Sequence, residues 1–509
     1  MLSVYRAERR KLLAQLSTRV LALVCLLGPF AFAAVLSQQS GVPADTLLGV
    51  WVHSSGYALS FVVLGFAGYL GFPVLAGVLA GDLFSSEDRY GTWKAVLTRS
   101  CTLQDVFLGK LVAAGTFALG LGALTALSSL VAGLLFTGSQ PLVGLGGTVI
   151  GSGECLALVL ASWLLSMLPL LAFTSLAVLF SVAARNGIVG VLGPVLVAVV
   201  MQLLALIGSG AWVHALLLAS AFDIWHGLLA TPKFYGPLII AAVVCVLWGG
   251  ACAWASWRIL RRRDFAGTPV AKRPGWSLPL RAVLGAAALI VLLGVAGNWG
   301  PTAVTRARLE ASIAPAFNSL TLLQQRELGR SVPRGAKLDA RTSCARRSGK
   351  SEGAGDDWSC TISTIAPKAG AYPLQLTPVV YDVSVKSDGC YKAQSPPSFV
   401  GQQTMSDARG RNVVNPLFTI YGCFDTTAAA HCQEGERCAP APAVPSSNSN
   451  PRGSGGGAAA TNARPSAAQR KVELEALRKA EHAAGPRVMR EILESEKTVQ
   501  REAEKPEGE

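Results

Sequence analysis

Two long uncharged runs constrain this chain more than any other feature of it. No Asp, Glu, Lys or Arg occurs between Asp45 and Asp82, and none between Lys110 and Glu154. Each run exceeds the roughly 20 apolar residues that cross a bilayer. Between them lies a polar island from Gly81 to Lys110, reading GDLFSSEDRYGTWKAVLTRSCTLQDVFLGK. It sets Glu87, Asp88, Arg89, Lys94 and Arg99 beside the bulky Tyr90, Trp93 and Leu97. That mixture suits a docking surface better than a solvated hairpin that only sets topology.

Composition points the same way. Only 15% of the 509 residues are charged, against about 25% in soluble domains. Seven segments read as spans: Val20 to Leu36, Ala58 to Ala80, Val106 to Phe136, Gly151 to Val182, Gly187 to Ile207, Gly236 to Trp257 and Ala282 to Gly297. The expected fold class is an all-α polytopic membrane protein with a small α+β domain and a flexible tail. The formal charge of +14 does not argue for nucleic acid, because the Lys and Arg flank apolar runs and no nucleic-acid motif is present.

Lys and Arg also set the expected orientation. Arg6, Arg9, Arg10, Lys11 and Arg19 precede the first span, and Arg89, Lys94, Arg99 and Lys110 follow the second. Arg185 follows the fourth span, and Arg258, Arg261, Arg262, Arg263, Lys272, Arg273 and Arg281 follow the sixth. All fall on one side, which predicts a cytoplasmic N-terminus and, after an odd seventh span, an extracytoplasmic C-terminal part. A cleaved signal peptide ending at Ala31-Phe32-Ala33 is the competing reading. An amphipathic interfacial helix carrying Leu12, Leu13 and Leu16 fits the basic N-terminus better.

Six cysteines follow the seventh span: Cys344, Cys360, Cys390, Cys423, Cys432 and Cys438. An even set in a small polar region reads as disulfides in an oxidising compartment, with pairing open. A zinc site is the rival, but no two are spaced CxxC and His431 is the only nearby histidine. The same region predicts a helix from Thr302 to Leu328, interrupted at Pro315. Strands follow at Trp358 to Ile365, at Val379 to Val385 before the turn pair Asp388-Gly389, and at Leu417 to Phe424. Domain bounds follow: 1–19 N-terminal helix, 20–257 six-span unit, 258–281 basic loop, 282–300 seventh span, 301–438 α+β domain. A linker at 439–465 and a charged tail at 466–509 complete the chain.

The island residues Glu87, Asp88, Gly91, Thr92, Trp93, Lys94, Leu97, Thr98, Arg99, Leu103, Gly109 and Lys110, after the N-terminal RAERRKLLAQLSTR, resemble the ABC type-2 transporter permease family. Its members carry E-x-x-G-T-x-x-x-L-x-x-[RP]…GK between spans two and three. The resemblance covers residues 1–264. It implies a six-helix bacterial plasma-membrane permease that forms a homodimer or pairs with a second permease subunit. It also implies an ATPase subunit on the cytoplasmic side that binds ATP and Mg. Gly91 would turn the chain, Trp93 and Leu97 would enter an ATPase cleft, and Arg89, Lys94 and Arg99 would meet acidic groups. Ser100 stands where the family often has proline, and the seventh span and appended domain also depart from it. No Gly-x-x-x-x-Gly-Lys-Ser/Thr loop occurs, so this chain is read as a transporter subunit, not an enzyme, without its own cofactor.

Between spans five and six the chain carries Trp212, His214, Asp223, Trp225, His226, Lys233 and Tyr235. The resemblance implies short re-entrant helices there, closing an external gate with Asp223, Trp225 and His226. An interfacial aromatic belt is the plainer reading, and two histidines without a third partner make no metal site. Glu154 opens the fourth span, either on the substrate path or as a helix-dipole partner. The apolar interiors suit an amphipathic or hydrophobic cargo. The alternative function is a membrane-anchored envelope sensor or scaffold acting through the α+β domain.

Overall fold

In a computed structural model, the described residues are 1–38, 55–98, 102–206, 216–263, 304–333, 336, 338, 340–350, 352–364 and 377–427. Arg99, Trp212, His214, most of the basic loop, the seventh span, Cys432, Cys438, the linker and the tail lie outside them.

Six helices are long and apolar enough to cross a membrane. The first follows a short helix, α1 (Leu2–Ala14), after extended Gln15, and is α2 (Leu16–Gln38). The second joins α3 (Gly56–Phe66), a π-helical turn (Ala67–Gly71) and α4 (Phe72–Ala80). The island then forms two short helices, α5 (Ser85–Tyr90) and α6 (Trp93–Leu97). Thr102 caps α7 (Leu103–Phe136) by accepting from the Asp105 N–H at 3.1 Å, as a threonine N-cap does. A two-residue-per-strand hairpin, β1 (Leu142–Val143) and β2 (Val149–Ile150), leads to α8 (Ser152–Ala184). The fifth span is α9 (Gly187–Leu206) and the last is α11 (Gly236–Arg261). Between those two come a 3₁₀ turn (Leu218–Phe222) and the one-turn α10 (His226–Leu229).

The bundle packs around α8, which contacts α3, α4, α7, α9 and α11. Few spans are buried all round. In the most apolar window of α2 only 17% of residues are buried, and in that of α11 22%. Helices that line a lipid-facing perimeter expose apolar side chains in this way. Inside, Trp163 donates to Ser60 Oγ (2.9 Å), which also shares a hydrogen bond with Ser129 Oγ (2.9 Å). That buried polar triad ties α3, α7 and α8, a recurrent form of helix adhesion in bilayers.

The second body is a five-stranded antiparallel sheet ordered β3-β4-β5-β6-β9 with a helix on one face. The helix is α12 (Arg306–Glu327), and it runs unbroken through Pro315. The expected interruption is therefore absent: Leu309, Ile313, Ala316, Phe317 and Leu320 bury a continuous face on the sheet, and that packing outweighs one missing backbone bond. The strands are β3 (Ala340–Arg346), β4 (Gly355–Thr364), β5 (Val379–Val385), β6 (Cys390–Gln394) and β9 (Thr419–Cys423). Before β9 come a short helix α13 (Pro397–Val400) and a small hairpin, β7 (Thr404–Ser406) with β8 (Asn412–Val414). Three of the five strands were expected; β3 and β6 lack a strong apolar alternation and were not.

Two disulfides join register partners across adjacent strands, Cys344–Cys360 on β3 and β4 and Cys390–Cys423 on β6 and β9. The first is fully buried in the sheet's core. The second lies on the bundle: Cys423 packs in the bundle's apolar cluster, with Cys390 and Tyr421 against it. From the bundle side, Gly146 N–H in the β1–β2 turn donates to Tyr421 O (3.1 Å).

Candidate functional site

The candidate site is the end of the bundle where α1, the island and the start of α7 meet. Past the end of the second span at Ala80, the chain turns and starts α5, whose Phe84 and Ser85 N–H groups donate to Ser181 Oγ on α8 (3.0 and 3.1 Å). Gly91 ends α5 in the left-handed region at φ 64°, which costs a residue with a Cβ about 1–2 kcal/mol. The chain can then reverse at once, and Trp93 folds back beneath α5.

Buried charges hold this turn. Lys110 on α7 is 1% exposed, and its Nζ reaches Glu8 Oε1 at 2.7 Å, Glu87 Oε1 at 3.0 Å and Leu83 O at 3.1 Å. Lys11 donates to the same Glu87 oxygen at 3.0 Å, and Thr92 Oγ1 donates to the other. Burial alone would push the Glu87 carboxyl up. The Lys110 charge and the hydrogen bonds from Thr92, Lys11 and Lys110 outweigh it and hold it down at about 2. One residue before Lys110, Gly109 lets α1 close on α7, since a Cβ there would lie 2.8 Å from Val4 Cγ1. The spaced Glu, Gly-Thr and Gly-Lys of the island are thus parts of one internal knot.

A second arm ties the end of α11. Trp93 Nε1 donates to Asp88 Oδ1 (2.9 Å), and Asp88 Oδ2 pairs with Arg263 at 3.0 Å. The Arg263 guanidinium lies 6.0 Å from the centre of the Trp93 ring, whose other neighbour is Phe84 at 6.3 Å. Trp93 is 6% exposed. This corrects the expectation that it enters a partner's cleft: its ring is already enclosed by the protein itself. Glu87 is buried likewise. The exposed residues of the island include Arg89, Tyr90, Gly91, Thr92, Lys94, Ala95 and Thr98, with Leu97 half-buried. Arg89 pairs with Asp82 at 2.9 Å and lies 4.9 Å from the Tyr90 ring centre. A cleft of about 300 Å³ opens here, between Lys11 and Gln15 on one side and Ser86, Arg89 and Tyr90 on the other.

Sequence reasoning missed Glu8, Lys11 and Arg263 as members of this site. Glu8 could have been singled out as the only acid in a basic N-terminal helix. Arg263 had no such signal, because it sits in a run of three arginines.

The second group of expected residues is at the opposite end of the bundle and is only partly brought together. Trp225 is 1% exposed and stacks on Phe61 of α3 at 5.4 Å, with the His226 ring 4.1 Å away. Phe222 in the 3₁₀ turn lies 5.4 Å from Phe72 and 5.7 Å from Phe173. The two short helical segments therefore plug the bundle with aromatic rings. Asp223 is half-buried between them. Glu154 is exposed instead, in the first turn of α8, and pairs with Lys233 at 2.7 Å. Among the described residues no group of three or more His, Cys, Asp or Glu is placed to hold a metal ion.

Six membrane-length helices, tied at one end by buried ion pairs and carrying a small disulfide-bonded sheet domain at the other, define a multi-pass membrane protein. Residues 21–266 match a family model described as "Protein of unknown function (DUF2705)". No curated protein matches the chain.

Proposed function

We propose that this chain is the transmembrane permease subunit of an ABC exporter, moving an amphipathic or hydrophobic substrate outward with ATP hydrolysed by a separate subunit. The observation that carries the reading is the ion knot. It spends the motif's Glu87, Thr92, Trp93 and Lys110 on fixing one rigid end, and leaves Arg89, Tyr90 and Lys94 exposed at its rim, with Leu97 half-buried beside them. A partner docked on that rim would push on α1, α7, α8 and α11 together, which is what coupling an ATPase to a bundle requires.

In this reading the knot faces the cytoplasm and the sheet domain lies outside. The path of the chain supports opposite sides. Gly236 at the start of α11 lies against Thr427 of the sheet domain, Arg263 just past its end is in the knot, and Val304 is back in the sheet domain's core. A 26-residue helix is roughly 39 Å long, so Arg263 and Val304 lie at opposite ends of the bundle. The seventh span expected from sequence falls between these two residues, outside the described residues.

The test is recovery of a P-loop ATPase with the tagged protein from native membranes in mild detergent. Failure to recover any nucleotide-binding subunit, with the protein itself intact, sinks the reading and favours an envelope sensor or scaffold. Trp93→Ala should act as a structural lesion, lowering thermal stability by about 3 kcal/mol as well as ATPase recovery. Full stability with lost recovery would return Trp93 to the contact surface.

A further inference from the structure

Helix α1 has two faces with different work. The inner face is spent on α7: Val4 lies on Gly109, Glu8 on Lys110, and Leu12 is 1% exposed. The outer face carries Leu2, Arg6, Arg9 and Leu13, spaced i, i+4, i+7 and i+11, all exposed, with exposed Arg10 beside them. In α2 the exposed side chains Leu16, Val20, Leu23 and Leu27 follow the same spacing. Both helices pack on α7, so both turn these stripes away from it. The stripe is purely apolar along the span and becomes mixed arginine and leucine below it.

The only carboxylate on α1 is Glu8, and it is withdrawn onto Lys110. Among the described residues Arg6, Arg9 and Arg10 form no ion pair with a carboxylate. The outer face is therefore cationic with apolar flanks, and it continues the lipid-facing side of the first span. We propose that α1 binds anionic phospholipid headgroups through Arg6, Arg9 and Arg10, with Leu13 and Leu16 against the acyl boundary. Arginines placed this way bond phosphate oxygens while their stems lie along apolar surface. Charge complementarity selects the anionic leaflet surface as occupant. Because Glu8 and Lys11 of the same helix close the knot, lipid bound on the outer face steadies the island through them. The inference rests on α2 being a span, and not on ATPase coupling.

The test uses the purified full-length protein with no ATPase present, by native mass spectrometry with phosphatidylglycerol and phosphatidylcholine at equal concentration. Wild type retains phosphatidylglycerol in preference. At about fivefold per arginine, R6Q/R9Q/R10Q loses about a hundredfold in that preference, while R6K/R9K/R10K keeps most of it. Protease access to an N-terminal tag confirms that the glutamine variant keeps its orientation. Equal retention of the two lipids by wild type, or an undiminished preference in the glutamine variant, overturns the proposal. So does recovery of an acidic partner protein through these arginines without any lipid preference, which would assign the face to that protein.

Discussion

The two ends of this molecule hold a glutamate in opposite ways, Glu87 buried and Glu327 half-buried. At the knot, Glu87 is surrounded by Lys110, Lys11 and Thr92, which keep it ionised against the pull of burial. In the sheet domain, Glu327 closes α12 beside the β7–β8 hairpin, where its main-chain oxygen accepts from the Ala408 N–H at 2.8 Å. Burial pushes its carboxyl up, and the neighbouring Asp407 charge pushes it further, to about 7. Among the described residues no cation pairs with it. The same residue type is thus a structural ion at one end and a group poised to titrate near neutral pH at the other, and the difference lies in partners, since the more deeply buried of the two is the one held ionised.

The largest expected effect comes from removing the shared cation. Lys110→Ala leaves Glu8 and Glu87 buried and facing each other, and should cost about 3–5 kcal/mol in thermal unfolding of the detergent-solubilised protein. Adding Glu8→Gln and Glu87→Gln should recover most of it, and no recovery would mean that Lys110 acts through packing. In the sheet domain the comparable lesion is a disulfide. Cys344→Ser/Cys360→Ser should cost about 2–4 kcal/mol within that domain. Cys390→Ser/Cys423→Ser should in addition raise amide exchange in residues 218–229, because that bridge lies on the bundle. Equal exchange in both pairs would remove the distinction.

Acidity should separate the two ends by sign. Glu87 is depressed in the fold, so its contribution is complete above about 4.5 and is lost as pH falls toward 2. Glu327 is raised, so its contribution is complete below about 4.5 and is lost as pH rises through 7. Amide exchange at residues 404–414 should therefore quicken between pH 5 and 8, while the knot stays protected. Glu327→Gln should abolish the first change, and its persistence would point to another titrating group. The smallest effect is expected at the exposed Glu154–Lys233 pair. Glu154→Gln should change stability by less than about 1 kcal/mol, and a larger loss of transport-linked function than of stability would restore it to the substrate path.

The spans were legible because uncharged runs of that length have few other homes. All six expected segments within the described residues correspond to helices, with ends moved by only a few residues. The cysteine-rich region was legible as a small disulfide-bonded domain, but its pairing was not, since register decides it. At the site, the residues Glu87, Thr92, Trp93 and Lys110 stood out by spacing, yet spacing does not say which way a side chain turns. Trp93 looked like a contact residue because a large ring in a polar loop is unexpected. The structure accounts for it by an internal cation, Arg263, just past the end of α11 and 170 residues along the chain. Interactions of that range leave no local pattern to read.

The division between a buried knot and an exposed rim is the central claim, and one comparison tests it directly. Tyr90→Ala/Lys94→Glu changes only exposed side chains of the island. The account predicts that this variant keeps the wild-type unfolding temperature and loses recovery of the P-loop ATPase in mild-detergent pull-down. Wild-type recovery of the ATPase by that variant would contradict it.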